Sequence, residues 1–131
     1  MGQIITLNCE KCNNTIELME GQGIRDNDLD RVLVFFDGNI GSRIRLAVAS
    51  LENTVWSFEK KIALCQRTGN IKAVPVISAG LGADKQVSFA GCDCGGDHVF
   101  YDTDKILDGS VMIECPVCKA RMTARLSGMW D

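Results

Sequence analysis

CDCGGDHVFYDTDKILDGSVMIECPVC, residues 92–118, is the stretch on which the reading of the fold turns. Cys92 and Cys94 open it, Cys115 and Cys118 close it, and twenty residues separate the two pairs. That separation falls within the range of structural zinc sites. Zinc takes four ligands in a tetrahedron, and two turns carrying two thiolates each supply them. The segment between reads as a hairpin: His98 to Tyr101 as one strand, Leu107, Asp108 and Gly109 near the turn, Val111 to Glu114 as the return. Pro116 stiffens the second turn and presets its thiolates. Gly95 and Gly96 let backbone N–H groups approach sulfur. The first pair is CxC rather than CxxC, so the backbone must kink for both sulfurs to face one metal. Cys92, Cys94, Cys115 and Cys118 are therefore the first expected zinc site.

Working outward, Ile4, Ile5 and Leu7 lead into Cys9, and Ile16 and Leu18 lead away from Cys12. This predicts a hairpin tipped by a cysteine pair, with Asn13 in the left-handed conformation such turns need and GQG at 21–23 closing it. A CxxC is half a zinc site or a redox dithiol, and its place between strands favours metal. Its other half must come from elsewhere. In ALCQRTG, residues 63–69, Cys65 stands alone. CQRTG has the layout of CxxCG with Thr68 in place of the second cysteine, and reads as a turn that lost one ligand. Cys9, Cys12 and Cys65 are therefore expected as a second site. His98, the one histidine, is a candidate fourth ligand. A water there would leave an open position with catalytic potential, and an empty site would leave three thiols. The competing reading makes Cys65 a buried cysteine on the apolar face of a helix starting near Ser42.

The middle of the chain adds helices and strands. In residues 25–38, Leu29, Val32, Leu33 and Phe36 share a helical face, and Asp26 or Asp28 is placed to cap it. Asp26, Asp28, Asp30 and Asp37 imitate a calcium loop, but Arg31 stands where such a loop requires Gly, so capping is the better account. Residues 41–53 predict a second helix, with Ile44, Val48 and Leu51 at helical spacing and Ser42 as its cap. A break near Asn53 and Thr54 precedes a strand into Cys65, on which Trp56, Phe58, Ile62 and Leu64 share a face that Lys60 interrupts. Val74, Val76 and Ile77 form the next strand, with Pro75 marking an edge. SAGLGADK, residues 78–85, is followed by strand-like QVSFAG and so reads as a turn rather than a phosphate-binding loop.

The chain has 131 residues, 46% apolar and 24% charged, which suits one folded domain. Formal net charge is −3. Zinc held by four thiolates contributes −2 and takes this to about −5. Such a chain is a poor polyanion binder, because affinity for nucleic acid comes from neutralising phosphates. Lys119, Arg121 and Arg125 near Trp130, or Arg43 and Arg45, are the best basic patches. The N-terminal residues lack the basic and apolar segments of a secretory signal, and the longest apolar run, VLVFF, is too short for a bilayer. CxxC spacings without an export signal point to metal in the cytoplasm rather than disulfides.

The order CxxC, Gly-rich turn, helix, lone turn, CxC with GG, then CPxC resembles small uncharacterised bacterial proteins with paired zinc ribbons. In those an N-terminal CxxC is followed by G-x-G, here Gly21 to Gly23, and the chain ends in CPxCGGxM. Here the end is CPVCKARM, with Lys119 and Ala120 at the glycine positions. The resemblance covers the cysteine scaffold and implies zinc binding with no known activity. The expected architecture is α+β, a small zinc-ribbon protein of cysteine-tipped hairpins with a helical insert. Its parts are an N-terminal knuckle at 1–23, a helical insert at 25–53, central strands at 55–90 and a C-terminal ribbon at 91–122, within one domain at 1–131. The expected function is non-enzymatic zinc binding in the service of protein–protein interaction. A nucleic-acid-binding regulator and a thiol or metal redox sensor are the alternatives. All-thiolate tetrahedral sites accept iron as well as zinc.

Overall fold

The computed structural model describes residues 2–23, 26, 28–49, 55–80, 87–92 and 97–130. Leu51, Asn53, Thr54, Cys94, Gly95 and Gly96, on which several expectations rest, lie outside them.

Apolar residues concentrate in extended, β-branched segments, and these form the frame. Among the described residues eight strands run in chain order: β1 (Gly2–Asn8), β2 (Thr15–Gly21), β3 (Val55–Cys65), β4 (Ile71–Gly80), β5 (Val87–Ala90), β6 (His98–Phe100), β7 (Ile113–Glu114) and β8 (Arg121–Trp130). Three helices accompany them among the same residues: α1 (Leu29–Val32), continued by a 3₁₀ turn over Leu33–Phe35, α2 (Gly38–Ala49) and α3 (Thr103–Leu107). The sheet order is β5-β4-β3-β2-β1-β8-β7, all antiparallel, with β6 also paired to β3. The sheet curls into a half-barrel. β1 is covered on both faces, since Ile5, Thr6 and Leu7 are all buried. Thr6 satisfies its hydroxyl by donating to Ser127 Oγ at 2.7 Å, which in turn donates to the Ile4 carbonyl at 3.1 Å. Ser127 is free to do this because the β1–β8 register skips it, with Ile4 opposite Gly128 and Ile5 opposite Leu126.

The main core joins Ile5, Leu7, Leu18, Ile62, Ile106 and Met122 with Cys9 and Cys115. A second cluster packs α1, the 3₁₀ turn and α2 on β3–β5 through Val32, Phe36, Ile44, Phe58, Ile77 and Phe89. A third, of Ala63, Val74 and Val76, takes Ala90 and Cys92 against it. Lys60, which interrupts the apolar face of β3, is absorbed by aromatic rings: its ammonium lies 4.7 Å from the Phe35 centroid and 5.2 Å from that of Trp130. No helix among the described residues is long and apolar enough to cross a membrane.

The α+β zinc-ribbon architecture with a helical insert is thereby corrected. Of the described residues, 48% are strand and 22% helix. The cysteine-tipped hairpins are ends of one large sheet, because long strands such as β3 and β4 pair along ten positions and draw the others in. The expected hairpin over 98–114 is absent as well. β6 joins β3, β7 joins β8, and the segment between them is helical: Asp102 accepts the Asp104 N–H at 3.0 Å as cap, and Ile106 buries itself in the core. Residues 98–122 are thus divided between separate parts of the sheet.

The helix caps also differ in detail. Asp28 caps α1 by accepting from the Asp30 N–H. α2 begins at Gly38, three residues earlier than expected, because Asp37 accepts the Ile40 N–H at 2.8 Å. Ser42 lies inside that helix and donates back to the Gly38 carbonyl. Pro75 is not on an edge strand, since β4 lies between β3 and β5. It sits one step past the β5 ladder, where its carbonyl accepts the Gly91 N–H at 2.8 Å.

Candidate metal centre

Three turns of this protein are built alike. In each, the N–H of a cysteine donates to the carbonyl five residues on, and the N–H four residues on donates back to the cysteine carbonyl. Cys9 does so with Asn14 and Asn13 (2.9 and 2.8 Å), Cys115 with Ala120 and Lys119 (2.7 and 2.9 Å), and Cys65 with Asn70 and Gly69 (2.9 and 2.7 Å). The residue four on is left-handed every time: Asn13 at φ 61°, Lys119 at φ 67° and Gly69 at φ 74°. The left-handed residue turns the chain back so that the first and fourth side chains share a side. At 9–12 and 115–118 both positions are cysteine; at 65–68 the fourth is Thr68.

The sheet decides which turns meet. β1 pairs with β2 on one side and β8 on the other, and Asn8 lies opposite both Thr15 and Thr123. The tip of the first hairpin therefore abuts the turn that precedes β8. Cys9 Sγ lies 3.4 Å from Cys118 Sγ, and Cys12 Sγ lies 3.6 Å from Cys115 Sγ. All four sulfurs lie within 4.8 Å of one another. A tetrahedron with Zn–S near 2.3 Å has its sulfurs about 3.8 Å apart, whereas a disulfide needs about 2.05 Å. The observed spacing fits four ligands around one ion.

The electrostatics fit as well. The Cys9 thiol is lowered, first by the backbone N–H of Cys12, against burial, with help from Cys118 and the Lys11 N–H. Burial pushes Cys115 up, but the N–H groups of Cys118 and Val117 and the Asn14 and Cys12 side chains bring it down to about 6. In both turns the first sulfur thus faces N–H groups two and three residues on, a device that stabilises thiolate. Asn14 Nδ2 lies 3.7 Å from Cys115 Sγ. Cys12 behaves oppositely. The Asn14 N–H favours its thiolate, yet loss of water around the sulfur and the neighbouring Cys118, Cys115 and Cys9 push it up to about 12. Four sulfurs this close do not all ionise alone. A divalent cation held by them would take the place of the protons they otherwise carry.

The expected ligand sets are exchanged. Cys115 and Cys118 meet Cys9 and Cys12, not Cys92. Cys65 does not join Cys9 and Cys12 but gathers with Cys92 and His98. His98 is accordingly placed with Cys65 and Cys92 rather than at the N-terminal pair. The cause is strand pairing: β6 sets His98 directly opposite Cys65, while β8 carries the last pair to β1. Cys94 lies outside the described residues. The six described cysteines are all thiols, with no disulfide among them.

Comparisons with protein-family models, with curated proteins and with solved structures give no match for this chain.

Proposed function

We propose that this is a zinc protein whose four-cysteine site is structural, and that it acts by presenting its surface to a protein partner rather than by catalysis. The observation that carries the reading is the approach of Cys9, Cys12, Cys115 and Cys118 from two hairpin tips to within 4.8 Å of one another. Four thiolates fill a tetrahedral ion's coordination and leave no position for substrate, which is the pattern of structural rather than catalytic zinc. Thiolates also suit zinc better than magnesium or calcium. The ion would tie together two turns that β1–β8 pairing brings side by side.

A protein partner fits the charge better than nucleic acid does. The chain is acidic at −3 before any zinc thiolate is counted. Of the basic residues singled out, Arg45 is engaged with Asp30 at 2.6 Å and Arg43 lies over the Phe89 ring. Val117, at the tip of a metal turn, is 70% exposed, and apolar side chains standing in water at a rigid tip suit a protein contact. The test has two arms. Purified protein should contain zinc that Cys115→Ser removes from the four-cysteine site. Duplex DNA should not be shifted at physiological salt. Full zinc retention in the variant defeats the structural-zinc reading, and tight, salt-sensitive DNA binding defeats the choice of partner.

A further inference from the structure

The Cys65 turn has the same backbone as the two turns that meet at the four-cysteine site, yet it lies elsewhere and faces other ligands. We propose that Cys65, Cys92 and His98 form a second, separate metal site, which takes a zinc ion through two thiolates and one imidazole.

Three strands deliver these groups. Cys65 ends β3 and is fully buried. His98 begins β6, and the β3–β6 register sets it directly opposite Cys65, so the two side chains leave the same face. The Gln66 N–H donates to the Asp97 carbonyl at 2.9 Å and fixes this pairing at its end. Cys92 follows β5, where the Gly91 N–H is anchored on Pro75, and packs on Ala63, Val74 and Val76. Sulfur, sulfur and a ring nitrogen lie within 4.8 Å of one another. A tetrahedral ion with Zn–S near 2.3 Å and Zn–N near 2.0 Å is reached by movements of less than about 1 Å.

The chemistry of the set selects the metal. Thiolate and imidazole together favour zinc over magnesium or calcium. Two thiolates balance the charge of a dication, so the loaded site is neutral and suits a half-buried place. Lys72 Nζ donates to Cys92 Sγ at 3.9 Å and helps to fix its position. Cys92 also lines a cavity of about 300 Å3 with Phe35, Asp37, Ile40 and Gly91. In the Cys65 turn, the place of the second cysteine is held by Thr68, so this turn brings one sulfur where the other two bring a pair.

The inference does not depend on the four-cysteine site, and the experiment separates the two. Metal content of the purified full chain should be about two zinc per molecule, one per site. Cys65→Ser and His98→Gln should each lower it to about one, while Cys115→Ser should remove the other equivalent. X-ray absorption of the wild type should show a nitrogen scatterer near 2.0 Å that His98→Gln abolishes. His98 is only half-buried, so that variant stays informative should the Cys65 substitution fail to fold. Two zinc retained in both His98→Gln and Cys65→Ser, or one zinc in the wild type that Cys115→Ser removes, would overturn the second site. Loss of a zinc in His98→Gln with none lost in Cys115→Ser would instead sink the four-cysteine reading and leave this one standing.

Discussion

Cys9 and Cys118 are 109 residues apart in sequence and 3.4 Å apart at sulfur. Nothing local accounts for the approach. It follows from β1 lying between β2 and β8, which brings one hairpin tip beside another.

If an ion holds that junction, Cys118→Ser should release about one metal equivalent and lower stability by several kcal/mol, since structural zinc binding is coupled to folding. Hydrogen exchange should accelerate at residues 9–14 and 115–120, the two turns, more than at β3–β4. Uniform protection across both regions in the variant would count against the link.

Lys119 holds a left-handed backbone at φ 67° in its turn, where Gly69 serves in the Cys65 turn. A side chain there is strained by about 1 kcal/mol, partly offset by the greater freedom of Gly when unfolded. Lys119→Gly is therefore expected to stabilise by about 0.5 kcal/mol, with zinc content unchanged. Denaturant midpoints of wild type and variant decide the sign.

Gly2 has no room for a side chain. A Cβ would meet the Trp130 indole and lie 2.6 Å from the Glu20 carbonyl, which already accepts the Trp130 N–H at 3.0 Å. Gly2→Ala should expel the indole and cost about 1–3 kcal/mol, as overpacking does. A red-shifted tryptophan emission and a lower melting temperature are the expected signs. An unchanged spectrum would mean the strand ends adjust without moving Trp130.

Glu20 should give the protein a pH dependence of its own. Burial, then the charges of Glu59 and Asp104, raises its carboxyl above the ordinary 4.5. The folded state then binds more protons than the unfolded one between 4.5 and that raised value, so stability falls as pH rises through this window. Glu20→Gln should raise the melting temperature at pH 7, with the gain vanishing below pH 4.5, where both states are protonated. Added salt should shrink the gain by screening Glu59 and Asp104. An equal gain at all pH values would point to packing instead.

The turns were legible in the sequence because their signals are local. Asn13 was expected to be left-handed and is, and CQRTG was recognisable as a CxxC-type turn despite Thr68. β3 begins at Val55 and runs into Cys65 as its alternation foretold. What sequence could not convey was which turns are neighbours. The twenty-residue interval from Cys94 to Cys115 imitates a hairpin, but Asp102 caps a short helix there and the two flanking strands go to different partners. Ligand sets follow sheet order, and sheet order is set by long-range pairing that leaves no trace in spacing. His98 shows this well: it was recognised as a candidate ligand, and only its place opposite Cys65 names its companions.

The pairing of β1 with β8 also has a consequence for the order in which the protein comes into being. On the ribosome, Cys9 and Cys12 emerge before Cys115 and Cys118, and the β1–β2 hairpin can form at once. Its open flank and its two thiols must then wait until β8 and the turn before it are made, because the sulfurs that complete the set belong to residues 115 and 118. During that interval the first pair is a bidentate thiol exposed to oxidants and to competing metals, beside an unpaired strand edge. The first-made half of the four-cysteine cluster is thus left incomplete until a segment 109 residues further along the chain reaches it.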